Sequence, residues 1–503
     1  MSEALPGMPE PPAPPVPRDA AVVVLVRPGS EGREVFWLRR EATLSFAAGF
    51  YAFPGGRVDA ADRSIPVEGA EGEEATLRAA AARELFEETG VLRARGSTPS
   101  PAALGEARAA LLAGARAFGD ILSALDVTLH APDFLPAGRW VTPSFMPVRF
   151  DARFFLVEVA PGTAAEVWPG ELAEGAWVRP ADALLAWTEG RALLHPPNQF
   201  ALETLLVAPS LEVAQQRLSG VHPAEGPGGH PVEFQRGVRV FALRTPTLLP
   251  ATHTNCWLLG NGELLVVDPG ASEPRELDRL VTHLAELGRK GLRPRAVFLT
   301  HHHLDHVGGV RPLAERLGLR VWCHPRTAEA IGVRPERVLA DGEVLTLEGE
   351  PDMRWRVLHT PGHARDHLCL VDEASRAAVV GDMVAGVGTI LIDPPEGEMA
   401  EYLRQLRRLR DLPVRALYPA HGPPLADGAQ ALEALLAHRA AREERVKSAL
   451  RREPRPLPEI AAEAYQDTPT AWPPVAERST LAILEKLAAG GEARAEGERW
   501  AST

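Results

Sequence analysis

The chain has few cysteines, almost no lysine and no long apolar run. Only three cysteines occur, Cys256, Cys323 and Cys369, none in CxxC spacing. That argues against a disulfide framework or a cysteine-built zinc site, and it suits a reducing cytoplasm. No uninterrupted stretch of ~18 apolar residues is present, so no membrane span is expected. No basic start leads into an apolar segment, so no signal peptide is expected. The only lysines are Lys290, Lys447 and Lys486. With abundant Ala, Pro and Gly, this composition suggests a GC-rich bacterial genome. The net charge of −13 excludes a surface that is basic overall, but not a local basic groove.

What is present divides the chain. At ~150 residues per domain, a chain of this length suggests several domains. Residues 1–17 are Pro-rich and read as a disordered tail. Residues 18–215 open with the apolar runs AAVVVLV and VFWLRR, two strands, followed by a Gly-rich turn and an Ala-rich helix over 74–88 closed by Gly90. FDARFFLVEVA reads as a later strand, and PADALLAWTEG and FALETLLVA as helices. Residues 216–233, rich in Gly and Pro, read as a linker. Over 234–428 short strands alternate with helices, an α/β pattern. Residues 429–503 hold helical stretches and a polar, Gly-containing end.

Directly after the strand RAVFLT comes THHHLDHVGG, with the pattern His301-x-His303-x-Asp305-His306. Imidazole and carboxylate together suit zinc and similar borderline metals. Further ligand types follow strand ends: Asp268 in LLVVDPG, His363 in HTPGH, Asp382 in VVGDM and His421 in LYPAHGPP. Strand ends are where α/β sheets gather functional side chains. His302 alternates away from its neighbours and is not expected as a ligand.

This ordered set resembles the metallo-β-lactamase superfamily of hydrolases over about residues 236–428. The resemblance implies an αββα sandwich and two Zn2+ ions. His301, His303 and His363 would hold the first ion; Asp305, also a catalytic carboxylate, His306 and His421 the second; Asp382 would bridge. Asp268 would orient the histidines from behind. Two cations ~3.5–4 Å apart stabilise charge on an attacked centre and bring the pKa of water toward ~7. His303 stands where the diiron oxygen reductases of the superfamily have Glu, and Asp382 where antibiotic lactamases have Cys; both favour hydrolysis of phosphoesters or thioesters. THTNCWLLGNGELLVVDPG, HTPGHARDHLCLV and GDMVAGVGTILI are most similar to a group of single-strand-specific endoribonucleases, which implies a winged-helix-like C-terminal domain and single-stranded RNA as substrate. His367 and Arg439 would then contact substrate. Arg439, Arg442, Arg445, Arg451 and Arg452 read equally well as phosphate contacts or as a solvated helix face. The glyoxalase group shares the metal motifs, so thioester hydrolysis stays open.

In the N-terminal half, Arg83-Glu84-Leu85-Phe86-Glu87-Glu88-Thr89-Gly90-Val91 follows FPGGRVDAAD. Glu84, Glu87 and Glu88 lie at i, i+3 and i+4, on one helix face. Packed carboxylates repel unless a cation joins them, and Mg2+ or Mn2+ suits an all-oxygen set. The segment resembles the box of Nudix hydrolases, an α/β/α sandwich, with Glu84, Glu87 and Glu88 as metal ligands, Glu87 and Glu88 catalytic, and Arg83 supporting them. Arg83 lies 27 positions after Gly56, farther than is usual, and Ala75 stands where the box has a Glu. GGRVDAADRS and RFDARFFLV resemble the coenzyme A diphosphatase branch, which also enlarges this loop. Glu171 and Glu174 are candidate bases.

The expectation is therefore a cytoplasmic α/β and α+β multidomain hydrolase. It would act on a small-molecule diphosphate and on RNA or a thioester, with no membrane contact, and a homodimer is compatible. A domain that only binds is the alternative for the Nudix half.

Overall fold

The computed structural model describes residues 12–41, 47–168, 170, 172–220, 232–468 and 470–503. Most of the Pro-rich tail, most of the expected linker and Glu171 lie outside them. Residues 12–17 have no regular structure. The chain divides into two compact units, Pro12–Arg236 and Gly237–Thr503.

The first unit is built on the apolar run at its start. Strand Arg18–Gly29 is flanked antiparallel by Gly32–Arg40 and parallel by Phe150–Glu158. Leu172–Val178 and Leu135–Val141 lie at the two ends of the sheet. Val23, Val24, Leu25 and Val26 are all buried because both faces of this strand are covered. Val23 and Leu25 face helix Gly72–Thr89, and Val24 and Val26 face helices Pro180–Thr188 and Pro196–Val207. The result is the expected α/β/α sandwich. Ala79, Ala80, Ala81 and Ala82 are fully buried, and their small side chains let the long helix lie close to the sheet. Gly90 ends that helix, its N–H donating to Phe86 O.

This unit extends beyond residue 215. Helix Leu211–Ser219 continues it, and the unit runs to Arg236. Phe234 packs edge-on against Phe50 and His195, and its carbonyl accepts the Leu194 N–H. These apolar contacts draw the end of the expected linker into the first unit.

In the second unit, two sheets face each other. One runs Val238–Arg244, His253–Leu259, Glu263–Val267, Arg293–Phe298, Arg320–Cys323, Arg337–Val338. The other runs Val344–Leu347, Met353–His359, Leu368–Asp372, Ala377–Gly381, Ala416–Pro419. Trp257 of the first sheet meets Tyr418 of the second edge-to-face at 5.1 Å, both rings buried. Helices Pro274–Arg289 and Val310–Leu317 cover the outer face of the first sheet, and Met399–Arg410 and Gly428–Ala449 that of the second. This is the expected αββα sandwich. The three cysteines are buried free thiols.

The C-terminal residues form helices Gly428–Ala449, Leu457–Ala464 and Pro473–Ala489. After helices Leu457–Ala464 and Pro473–Ala489, the polar end forms a hairpin, Ala493–Glu496 paired with Arg499–Ser502, which Arg455–Pro456 joins as a third strand. Trp500 anchors it in the core shared with the helices. Among the described residues no helix is long and apolar enough to cross a membrane.

Burial drives the His195 pKa down to about 4, with Arg40 adding to the effect, and the ring stacks on Phe50 at 4.6 Å. An unfolded histidine titrates near ~6.5. The unfolded chain therefore binds the extra proton between those values, and stability falls as pH drops from about 6.5 to about 4. Thermal melts across that window will show a weaker acid dependence for His195→Phe than for the parent; an identical slope disproves the assignment.

Candidate functional site

Five loops at strand ends of the second unit converge on one point. The strand Arg293–Phe298 delivers Thr300, His301, His303, Asp305 and His306; Gly381 and Pro419 end the strands that deliver Asp382 and His421. Gly270 permits the convergence, since a Cβ there would stand 1.7 Å from Asp305 O.

The imidazoles are oriented from outside. His306 Nδ1 donates to Asp268 Oδ2 at 2.9 Å, and His363 Nδ1 donates to Leu391 O at 2.9 Å. His421 Nδ1 donates to His253 O at 3.1 Å, and His301 Nδ1 meets Thr300 Oγ1 at 3.0 Å. Each bond fixes its ring so that Nε2 is directed inward. His301 Nε2 and His363 Nε2 lie 2.9 and 3.0 Å from His303 Nδ1, so three ring nitrogens crowd together. On the other side Asp305 faces His306 and His421. Asp382 reaches both groups: its Oδ2 lies 3.4 Å from His363 Nε2 and 3.6 Å from His306 Nε2, and its Oδ1 lies 3.4 Å from His421 Nε2.

The residues fit metal. His301, His303 and His363 bring their ligand atoms within 4.8 Å of one another, and so do Asp305, His306 and His421, and His301, His306 and Asp382. His306 Nε2 and Asp382 Oδ1 are buried without a hydrogen-bond partner. Such orphaned atoms are costly unless an ion satisfies them. Electrostatics divides the two groups. Burial and neighbouring imidazoles push His301 well down and His363 to about 4. Burial also disfavours charge on His421, but Asp382 and Asp305 outweigh it and raise it to about 10.

His367, expected at the substrate, is fully buried. Its Nε2 accepts the Asp382 N–H at 3.0 Å and its Nδ1 meets Thr360 Oγ1 at 2.8 Å, so it sets the backbone of Asp382. Arg439 is also not a substrate contact: it is buried, donates from Nη2 to Ile390 O at 2.6 Å and lies over the Tyr402 ring. Its helix face is mixed, since Arg445 is exposed. Arg442 is buried and pairs with Asp467, and Arg451 pairs with Glu463. His302 points away from the centre, between Asp366 and Glu396. Sequence reasoning missed both of these carboxylates.

In the first unit, Glu84, Glu87 and Glu88 share a face of helix Gly72–Thr89, but their oxygens are not gathered around one point. Glu88 Oε2 accepts the Gly55 N–H at 2.8 Å, and Glu84 Oε1 accepts from Arg83 Nη1 at 2.8 Å. Gly56 lets the strand pass over them, since a Cβ there would stand 2.5 Å from Glu84 Oε1. Burial outweighs Arg83 and raises Glu84 to about 7; burial and Glu84 raise Glu88 well above its usual range. Carboxylates held this reluctantly ionised are what a divalent cation stabilises. The enlarged loop supplies what the sequence left open. Its short 3-10 turn Ala60–Ser64 presents Asp62, fully buried, whose two oxygens accept from Arg83 Nε at 2.8 Å and Nη2 at 2.9 Å. Glu174 accepts from Tyr51 Oη at 2.6 Å and pairs with Arg39.

Residues 249–421 match the metallo-beta-lactamase superfamily, residues 16–110 the NUDIX domain, and residues 457–500 the beta-lactamase associated winged helix domain. The chain carries all three domains. Among curated proteins, the atrochrysone carboxyl ACP thioesterase of Aspergillus fumigatus is 33% identical over 220 residues, 43% of this chain and 65% of that protein. The beta-lactamase-like protein 2 homolog of Caenorhabditis elegans is 26% identical over 244 residues, 47% of this chain and 79% of that protein. The chain thus spans just under two thirds of the length of the first of these relatives. Among solved structures, a NUDIX hydrolase from Alicyclobacillus acidocaldarius is 32% identical, covering 41% of this chain and 97% of that one, with a TM-score of 0.37. The domain families support a hydrolase.

Two outcomes follow from this geometry. Asp62→Ala leaves Arg83 buried without its carboxylate and will destabilise the NUDIX domain by about 3 kcal/mol, measured by denaturant unfolding; a change under ~0.5 kcal/mol rules out the Asp62 support. In the metallo-beta-lactamase domain, the raised His421 is protonated at neutral pH when metal is absent. A cation bound there must displace that proton, so affinity for added zinc, measured by chelator competition, will rise with pH up to about 10. The same ion pair stabilises the metal-free fold below pH ~6.5, and that contribution is lost as pH rises through about 10.

Proposed function

We propose that the metallo-beta-lactamase domain is a two-cation hydrolase of acyl thioesters and that the NUDIX domain hydrolyses a diphosphate-linked compound. The observation that carries the first part is Asp382, whose two oxygens face the two opposed ligand groups. Bound there, a pair of zinc ions would polarise the acyl oxygen and make water a nucleophile near neutral pH. The carboxylates of Asp305 and Asp382 face the same space, accept hydrogen bonds from the attacking water and orient it. Water adds to the acyl carbon, the C–S bond breaks, and the products are a carboxylic acid and a thiol.

Two observations favour a thioester over a phosphodiester. Arg439 and Arg442, two of the five arginines that could meet a phosphate, are buried and engaged inside the fold. Leu304, between the ligand residues His303 and Asp305, is 45% exposed and is an apolar side chain that an acyl group would meet. The name of the Aspergillus relative agrees with this reading. The resemblance of the N-terminal half to coenzyme A diphosphatases supports pairing the thioester with a second pantetheine-type substrate. In that half, Glu84, Glu87 and Glu88 would take Mg2+ or Mn2+ once the cation draws them from Arg83 and Gly55.

Acyl-coenzyme A, an acyl carrier protein thioester and single-stranded RNA should be tested with the zinc-loaded chain. Thioester cleavage is expected, with His303→Ala lowering kcat/KM at least a hundredfold and Glu87→Gln leaving it unchanged. Cleavage of RNA alone, lost in His303→Ala, sinks the thioester assignment. Turnover unaffected by that substitution sinks the two-cation site. Release of 3′,5′-ADP and 4′-phosphopantetheine from coenzyme A, lost in Glu87→Gln but kept in His303→Ala, is the expected NUDIX result.

A further inference from the structure

The loop between Asp382 and helix Met399–Arg410 carries a carboxylate outside the ligand motifs. Glu396 Oε1 lies 2.9 Å from His302 Nε2, and Oε2 lies 3.6 Å from His303 Nε2. His302 is held on its other side, with Nδ1 3.0 Å from both oxygens of the buried Asp366. Asp366 also accepts from Thr327 Oγ1 at 2.6 Å. His302, Asp366 and Thr327 therefore form a fixed anchor, and Glu396 spans from it to the ring of a metal-ligand residue.

His303 needs such a partner. Its neighbours His306, His363 and His421 bond their outer Nδ1 to Asp268, Leu391 O and His253 O. His303 is reversed: Nδ1 faces inward, so Nε2 faces out, and Glu396 is the carboxylate it meets. A gap of 3.6 Å exceeds a direct hydrogen bond, but a small rotation of a half-exposed glutamate closes it. The loop is otherwise well tied. Leu391 O accepts from His363, Ile390 O accepts from Arg439, and Asp393 pairs with Arg478 at 2.6 Å. Arg439 lies on helix Gly428–Ala449 and Arg478 on helix Pro473–Ala489, so the C-terminal helices hold the loop from behind.

We infer that Glu396 is a positioning residue of the metal centre, orienting the His303 ring from the anchor of His302 and Asp366. The inference rests on the two-cation reading of that centre. Outer partners of this kind fix ring orientation, and their loss typically weakens metal binding by about ten- to a hundredfold.

The test uses the full chain, zinc as the metal, and Glu396→Gln, His302→Gln and the double variant. Zinc per chain is measured by elemental analysis, and affinity by equilibrium competition with a chromogenic chelator. About two zinc per chain are expected in the parent and in every variant at saturation. Affinity should fall at least fivefold in each single variant, and the double variant should be no weaker than the worse single one, because both act through one network. The melting temperature of metal-free Glu396→Gln should equal that of the metal-free parent, which separates orientation from misfolding. Parental affinity in Glu396→Gln overturns the inference. So does a third zinc in the parent that Glu396→Gln loses, since Glu396 would then be a ligand. Fewer than two zinc in the parent overturns the two-cation reading itself, whatever the variants do.

Discussion

Asp268 holds the candidate metal site from behind, and the geometry of the site depends on it. One oxygen accepts the Thr300 N–H at 2.8 Å, the other accepts the Thr300 hydroxyl at 2.6 Å and the His306 Nδ1–H at 2.9 Å. The same threonine hydroxyl lies 3.0 Å from His301 Nδ1. A buried imidazole has two nitrogens and one proton when neutral, so the partner of one nitrogen decides where the other lone pair points. One carboxylate and one hydroxyl thus aim two imidazoles, while backbone carbonyls of Leu391 and His253 aim His363 and His421. Two of the inward atoms, His306 Nε2 and Asp382 Oδ1, then lack hydrogen-bond partners, which is the condition that makes the pocket receptive to cations.

The NUDIX domain solves a related problem with opposite charges. Its helix buries carboxylates, and the same helix carries Arg83 among them. A guanidinium so enclosed is stable only when its donors are met. Asp62 meets two, Glu84 one, and Arg57 O another. Asp62 comes from the enlarged loop, so the extra length does structural work: it returns a buried acid to the helix from which Ala75 had removed one. The cost is that Glu84 and Glu88 are drawn to protein donors in the absence of a cation.

The parts that sequence reading reached share a property. Ligand chemistry allows few residue types, and the strands before Thr300, Asp382 and His421 place them at known ends of a sheet. The long apolar runs and the unbroken Ala-rich helix were equally legible, since both faces of one and one face of the other are buried. Arg439 was misjudged because its helix has mixed charge all round. Nothing in HRAAREERV separates the arginines that turn inward from those that meet water. Trp500 in GERW and the alternation before it were the available signs of the hairpin, but Gly and charge read as a tail.

The sequence alone determined the chemistry available: which side chains can bind a cation, in what order they occur, and that both halves carry such sets. Local spacing suffices for that, because loops of a few residues keep neighbouring ligands together. Tertiary structure decided which atoms face one another. Asp382 stands between two ligand groups, His367 behind it rather than at the substrate, Asp62 beside Arg83 and Glu396 beside His303 only because segments far apart in the chain are packed against each other. Burial then assigns their charge, raising His421 and lowering His363, although both are histidines at the ends of strands.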